Sequence, residues 1–72
     1  MARNILVGKC RIGALGSGPK GFSAYLGVRT SAGLLQRCFQ YYTTEAECET
    51  AVREWIAAHR RQTRLLGEVY FA

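Results

Sequence analysis

The sequence predicts a small α+β domain, in which a three-stranded antiparallel sheet packs on one C-terminal α-helix spanning about residues 44–62. Two patterns support this fold class. Apolar and polar residues alternate through Phe22–Thr30, as expected of a half-buried strand. After Thr44 the apolar residues recur every three or four positions, as expected of an amphipathic helix. The 72 residues suffice for a single domain, 1–72, with a thin hydrophobic core.

The first strand is predicted at Ile5–Ile12, a short segment rich in β-branched residues. The segment that follows it, Gly13–Gly21, contains four glycines and one proline. Because both residue types disfavour regular structure, we expect a mobile connection there.

The second and third strands are predicted to form a hairpin. Its turn falls at Ser31–Gly33, where Gly33 is expected to adopt a positive φ. The third strand, Leu34–Tyr42, has large apolar side chains on both faces, so the identity of the buried face stays open. A bulge that changes the face in mid-strand would reconcile the two patterns.

The helix is predicted to begin at Thr44, because Thr44 and Glu47 have the spacing of a capping box. One apolar stripe is expected to face the sheet; it comprises Cys48, Ala51, Val52, Trp55, Ile56 and His59. Gly67 is expected to end the helical structure. The apolar tail, residues 68–72, is predicted either to add a short fourth strand or to pack as a strip against the core.

The charge of the chain is distributed unevenly. The net charge is +5, yet residues 1–44 contain six basic residues and no Asp or Glu. All five acidic residues follow Thr44. Because a merely solvated surface normally mixes both signs, the predicted sheet is expected to present a basic face to a partner.

The sequence offers little material for catalysis or for metal binding. The chain contains no Asp and one His, and four of its five Glu lie in the predicted helix, where they complement the helix dipole. Cys10, Cys38, Cys48 and His59 lack the local spacing of a zinc site. A nucleophile pair of Cys38 or Cys48 with His59 can be written, but core packing is the favoured interpretation of these residues. We expect a protein that is not an enzyme and holds no cofactor.

The cysteines and the N-terminal segment predict a cytoplasmic protein. Three cysteines without CxxC spacing do not form a disulfide framework, so we expect reduced and mostly buried thiols. The apolar run Ile5–Gly8 is too short for a secretory signal or a membrane span. No contact with a membrane is therefore expected.

The predicted function is nucleic-acid binding by the basic sheet face. The candidate residues are Lys9, Arg11, Lys20, Tyr25, Arg29 and Arg37. A twisted three-stranded sheet fits the major groove of DNA, where Arg reads guanine edges while Lys and Tyr contact phosphates. DNA is the expected partner, and RNA stays open. A basic surface without a ligand is the competing interpretation.

Three stretches of the chain carry a resemblance to a known family. They are Phe22-Ser23-Ala24-Tyr25-Leu26-Gly27-Val28-Arg29, Tyr42-Thr43-Thr44-Glu45-Ala46-Glu47 and Val52-Arg53-Glu54-Trp55-Ile56. On these motifs the segment from Lys20 to about Arg61 resembles the arm-type DNA-binding domain of phage tyrosine integrases. The resemblance implies three strands packed on one helix, a sheet that reads the major groove, and an origin in a phage or mobile element.

A protein-binding module is the second function class. An example is a phage-encoded, anti-CRISPR-like inhibitor of a host defence complex, which acts by surface contact without catalysis. In that case the basic face would meet a host nucleoprotein complex, and Val69–Phe71 or a sheet edge would add contacts. A free sheet edge and an apolar tail also favour a homodimer.

Overall fold

A computed structural model of the chain describes residues 2–72. Within this range the chain forms five strands and two helices, and neither helix is long and apolar enough to cross a lipid bilayer. In chain order the elements are β1 (Arg3–Val7), β2 (Cys10–Gly18), β3 (Gly21–Thr30), β4 (Gly33–Tyr42), α1 (Glu45–Ala58), α2 (Arg60–Thr63) and β5 (Val69–Phe71).

The strands within residues 2–72 form one antiparallel sheet in the order β4-β3-β2-β1-β5. The first four strands are a meander whose hairpins turn over two residues each, at 8–9, 19–20 and 31–32. α1 then crosses one face of the sheet, and the chain returns to add β5 beside β1. The prediction of a three-stranded sheet on one helix is therefore wrong, because the sheet has five strands and the tail forms the fifth.

Most of this error lies in the first 21 residues. Val7 and Cys10 pair across a turn at Gly8–Lys9, which splits the predicted first strand between β1 and β2. Gly8 has a φ of 61°, which glycine adopts readily in tight hairpin turns. The segment 13–21, predicted as a mobile connection, instead supplies most of β2 and the turn into β3.

Gly13 of β2 reflects close packing between strands. A Cβ atom on Gly13 would overlap the carbonyl oxygen of Tyr25 and would lie 2.7 Å from the Cα atom of Leu26, both on β3. Glycine permits this approach because it has no side chain to place in the occupied space. A composition typical of a loop therefore forms a strand here.

The register of β3 with β4 decides which face of β4 is buried. Phe39 pairs with Ala24, and Tyr42 pairs with Phe22, so both aromatic rings lie on the buried side of β3. Regular alternation would place Phe39 and Tyr42 on opposite faces, because they are three positions apart. A register shift opposite the segment between Phe22 and Ala24 resolves this conflict. The expected change of face in this strand is confirmed, but it lies between Phe39 and Tyr42 at the end of β4 and not in mid-strand.

α1 begins where the sequence predicts and ends earlier. The Glu47 N–H donates to Thr44 Oγ1 at 3.2 Å, and the Thr44 N–H donates to Glu47 Oε1 at 3.0 Å. The capping box is therefore confirmed. His59 caps the C-terminus of α1, and α2 ends at Arg64, whose φ of 61° is left-handed. Helical structure thus extends to Thr63, close to the predicted end at about residue 62, but it is interrupted at His59, and it ends at Arg64 rather than at Gly67.

The hydrophobic core lies between α1 and the sheet face that it covers. Its fully buried side chains come from both layers and are Ile5, Leu15, Leu26, Cys48, Val52 and Ile56. Ala51 and Trp55 of the predicted helical stripe pack at the margin of this core. Of the three cysteines only Cys48 is buried, and Cys10 and Cys38 are exposed, so the expectation of mostly buried thiols is wrong.

A cluster of charged side chains joins β1, β5 and α1. Arg3 donates to the Glu49 carboxylate at 2.7 Å and to the Phe71 carbonyl at 2.9 Å. Arg53 approaches the other carboxylate oxygen of Glu49 at 3.5 Å. Both guanidinium groups lie over the Phe71 ring, at 5.8 Å for Arg3 and 4.8 Å for Arg53 from its centroid. The hydrogen bond to Glu45, followed by the charges of Glu45 and Glu49, raises the pKa of Arg3 against the opposing effect of its partial desolvation.

Candidate functional site

The face of the sheet opposite α1 is not covered by any other element in the described residues, 2–72, and we call it the open face. Its side chains alternate along each strand with those of the core. They are Asn4 and Leu6 of β1, Arg11, Ala14 and Gly16 of β2, Ser23, Tyr25 and Arg29 of β3, Leu34, Gln36, Cys38 and Gln40 of β4, and Tyr70 of β5.

The five strands in residues 2–72 contain basic residues but no acidic ones. Four of the five acidic residues lie on α1, on the covered side of the sheet, and Glu68 precedes β5. The acidic residues of the helix thus lie away from the open face, whereas the arginines of the strands are divided between the open face (Arg11 and Arg29) and the covered side (Arg3 and Arg37).

Two arginines project from the open face. Arg11 pairs with Leu6, and its Nε donates to Asn4 Oδ1 at 2.8 Å, which holds the guanidinium group over the sheet. Arg29 is exposed near the end of β3, opposite Leu34. Both arginines lie towards the end of the sheet where the 8–9 and 31–32 turns are located. Their terminal nitrogens can therefore donate to an anionic ligand that lies across this half of the face.

A shallow depression of about 480 Å³ lies beside Tyr25 on the open face. Its lining includes small residues of β2 and β3 and larger ones of β4, namely Ala14, Gly16, Ser23, Cys38 and Gln40. Tyr25 is 54% exposed and stands between Ala14 on one neighbouring strand and Cys38 on the other. An accessible aromatic ring therefore lies next to an open depression that is lined mostly by small side chains.

Tyr70 is a residue of the open face that the sequence interpretation missed. It pairs with Leu6, which pairs in turn with Arg11, so the three residues form a row across the sheet. Tyr70 is 44% exposed, and its hydroxyl donates to the Gly8 carbonyl at 2.6 Å. Tyr70 stands between Val69 and Phe71 in the sequence. If the tail is assigned as a strand, its two apolar neighbours face the core and the Tyr70 ring faces away from it.

The two predicted lysines lie in turns at opposite ends of the sheet. Lys9 is exposed in the turn between β1 and β2, at the same end as Arg11 and Arg29. Lys20 lies in the turn between β2 and β3, where its Nζ is 5.7 Å from the centroid of the Tyr41 ring. Each lysine is therefore placed to contact only the end of a ligand that crosses the open face.

Arg37 projects from the covered side of the sheet, unlike the other predicted arginines. It pairs with Leu26, which is 2% exposed and belongs to the core, and paired residues point to the same side. Its guanidinium group lies 4.8 Å from the centroid of the Phe39 ring and donates to the Cys38 carbonyl at 2.6 Å. The structure thus places Tyr25, Arg11 and Arg29 on one face of the sheet and Arg37 on the other.

The structure separates the residues that could form a Cys–His pair. Cys48 and His59 are 11 positions apart at one helix, which corresponds to about 16 Å along its axis. Burial raises the pKa of the Cys48 thiol, which favours its protonated form. The His59 ring stacks on Trp55 with 4.1 Å between ring centroids, whereas Cys38 lies on the open face. Within residues 2–72 no group of three or more His, Cys, Asp or Glu side chains is placed to bind a metal ion.

Comparisons of this chain with protein families, curated proteins and solved structures found no match. The chemistry of the open face is therefore the basis for assigning a function.

Proposed function

We propose that this chain is a small nucleic-acid-binding module that uses the open face of its sheet. The observation that carries the proposal is an exposed Tyr25 on the same face as Arg11 and Arg29, in a sheet whose strands contain no acidic residue. Arginine binds phosphate through charge-assisted hydrogen bonds, and tyrosine rings stack on bases. The open face thus offers both kinds of contact that nucleic acids make with proteins.

The charge of the chain and the sequence resemblance support the same class of ligand. The net charge is +5, with the excess in the segment that forms the first four strands. Residues 20–61 resemble the arm-type domain of phage tyrosine integrases, so the proposal includes an origin in a phage or mobile element. The free, exposed thiols of Cys10 and Cys38 support a location in the reducing cytoplasm.

The salt dependence of binding tests this proposal. Fluorescence anisotropy with labelled DNA and RNA oligonucleotides should detect binding at about 50 mM salt. With two to four phosphates contacted by the open face and its turns, the slope of log affinity against log salt should lie between about −1.5 and −3.5. Wild-type protein that binds neither DNA nor RNA at this low salt concentration would contradict the proposal.

Arginine variants test which face is used. The double substitution Arg11→Ala and Arg29→Ala should lower affinity by about tenfold or more and should reduce the magnitude of the salt slope by about 1.5 to 2. Arg37→Ala is the control, because it removes one arginine charge, as each of the two substitutions does, but from the covered side. It should change affinity by less than about threefold. An equal loss per arginine in all variants would show that the open face is not the binding surface.

Protein binding along the free edge of β4 is the second candidate function. β4 is ten residues long and terminates the sheet in the described part of the chain, 2–72. It exposes Leu34 by 59% and Tyr41 by 51%. An exposed strand edge with apolar side chains can pair with a strand of another protein, as an inhibitor of a host nucleoprotein complex would require.

Affinity capture from a nuclease-treated bacterial lysate distinguishes the two functions. A partner that is retained after nuclease treatment and is lost with Leu34→Asp would favour protein binding by the β4 edge. A partner that disappears on nuclease treatment, and also with the Arg11 and Arg29 double variant, would favour nucleic-acid binding by the open face.

A further inference from the structure

We infer that the nucleic acid bound by the open face is single-stranded, with one base stacked on Tyr25 over the adjacent depression. The inference rests on the proposed function and specifies its substrate class. Three features of the structure carry it: the width of the sheet, the small side chains beside Tyr25 and the position of Arg11 between two exposed tyrosines.

The width of the sheet argues against a duplex in the major groove. Neighbouring strands lie about 4.8 Å apart, so five strands span about 19 Å from one edge to the other. The major groove of B-DNA is about 12 Å wide. A three-stranded sheet, about 10 Å wide, would enter that groove, whereas the face of a five-stranded sheet is too broad. A single strand has no groove to enter and can lie flat across the face.

The depression beside Tyr25 fits a nucleotide base. Ala14, Gly16 and Ser23 leave the sheet surface low at this point, and its volume of about 480 Å³ is in the range of small-ligand sites. A base stacked on the exposed Tyr25 ring would lie over these small residues. The side-chain amide of Gln40, which also lines the depression, can donate to and accept from the edge of such a base.

Arg11 lies on the path between the two exposed tyrosines of the open face. Tyr25 and Tyr70 are separated by three strand spacings, about 14 Å, and by two residues along the strands, about 7 Å. Arg11 is on β2, between the strands of the two tyrosines, and its hydrogen bond to Asn4 directs the guanidinium group over this path. A single strand that stacks at both rings would therefore place a phosphate near Arg11.

Anisotropy with matched oligonucleotides tests the inference. Single-stranded DNA and RNA of about 12 nucleotides and mixed sequence are compared with DNA and RNA duplexes of the same sequences. We expect the single strands to bind about tenfold or more tightly than the duplexes at equal salt. The DNA and RNA arms identify which single strand is preferred.

Substitutions of Tyr25 test the stacking contact. Tyr25→Ala should weaken single-strand binding by about 5- to 150-fold, the range expected for the loss of one stacked base. Tyr25→Phe keeps the ring and removes the hydroxyl, so its affinity should stay within about twofold of wild type. Because Tyr25 is 54% exposed, both variants are expected to fold, and circular dichroism verifies this before binding is measured.

The two exposed cysteines provide an independent footprint. Cys38 lines the depression on the open face, whereas Cys10 pairs with the buried Val7 and lies on the covered side. A saturating single-stranded oligonucleotide should slow alkylation of Cys38 by iodoacetamide by about fivefold or more and should change the rate at Cys10 by less than about twofold. Peptide mass spectrometry reads both rates in the same sample.

The possible results separate the inference from the function on which it rests. Preference for single strands, loss with Tyr25→Ala, retention with Tyr25→Phe and protection of Cys38 would support it. Duplexes that bind as tightly as single strands, or an unchanged affinity in Tyr25→Ala, would overturn the inference and leave nucleic-acid binding standing. Absence of binding to every oligonucleotide at about 50 mM salt would overturn both.

Discussion

Glu49 is the residue at which distant parts of the chain are joined. Its carboxylate accepts from Arg3 of β1 at 2.7 Å and approaches Arg53 of α1 at 3.5 Å. The Glu49 side chain is 19% exposed, so water screens these contacts less than at a fully exposed pair. Both guanidinium groups also cover the Phe71 ring of β5. One side chain on the helix therefore orients the first and the last strand of the sheet.

Substituting Glu49→Gln should lower the free energy of unfolding by about 1 kcal/mol, because two arginines lose their shared carboxylate while Arg3 keeps Glu45. Urea denaturation followed by circular dichroism measures the change. The difference from wild type should shrink at about 1 M salt, since salt screens the charge component.

Glu54→Gln is the control for this change, because Glu54 is exposed on the same helix and has no ion pair among the described residues, 2–72. Its effect should stay below about 0.5 kcal/mol. Equal effects of the two substitutions would mean that the ion pairs of Glu49 do not contribute to stability.

β2 shows how the context of an element overrides its composition. Its nine residues, Cys10–Gly18, include three glycines, and such a composition disfavours an isolated strand. β2 pairs with β1 through residues 10–15 and with β3 through residues 13–18, so the strand has a paired neighbour on each side. Leu15, at 1% exposed, adds a core side chain from the middle of the strand. The pairing partners of β2 therefore compensate for its weak intrinsic preference.

Gly13→Ala should lower the free energy of unfolding by about 2–4 kcal/mol, because the new methyl group would overlap the backbone of β3 at Tyr25. Gly18→Ala is the matched control in the same strand, since no atom lies within 4 Å of the position that its Cβ would take. That substitution should change stability by no more than about 0.5 kcal/mol. Thermal unfolding of both variants checks the difference, and equal effects would show that β2 and β3 do not approach as closely as described.

The last strand, β5, completes the sheet beside β1. β5 pairs with β1, and the backbone of Asn4 exchanges hydrogen bonds with Ala72 at 2.7 and 3.0 Å. This pairing gives β1 a neighbour on both sides and places Phe71, 9% exposed, in the core. A chain of this length is expected to have a free energy of unfolding of about 4–11 kcal/mol. The contribution of one buried aromatic side chain is therefore a large part of the total stability.

Phe71→Ala should lower the free energy of unfolding by about 3 kcal/mol, because it leaves a cavity beneath two arginines and removes the apolar anchor of β5. Leu66→Ala is the control from the preceding loop, where the side chain is 81% exposed, and it should change stability by less than about 0.5 kcal/mol. Chemical denaturation measures both, and a Phe71 variant as stable as wild type would show that β5 is not part of the cooperative core.

Local signals predicted some elements and missed others for identifiable reasons. The capping residues Thr44 and Glu47 act within one helical turn, so sequence spacing was enough to identify them. Gly33 adopts the expected positive φ, 118°, because turn chemistry is also local. The role of Gly13 depends on β3 passing close to it, and no pattern within β2 reports that approach.

For the candidate site, too, the sequence predicted some features and only the strand register decided others. The absence of acidic residues before Thr44 identified the sheet as the basic part of the chain. The face from which each basic residue projects depended on strand register, and this removed Arg37 from the site. Tyr70 joined the site only because β5 pairs beside β1.

The sequence by itself determined the half-buried strand β3, the capped start of the helix, and a basic N-terminal segment without acidic residues, since these follow from periodicity, capping and composition. The tertiary structure decided the number of strands, the burial of Phe71 through the pairing of β5 with β1, and the placement of Tyr25 and Arg11 on one uncovered face. The physical reason is that sheet pairing joins residues far apart in the chain. Its register assigns each side chain to the core or to the open face, and a shift by one residue would reverse that assignment.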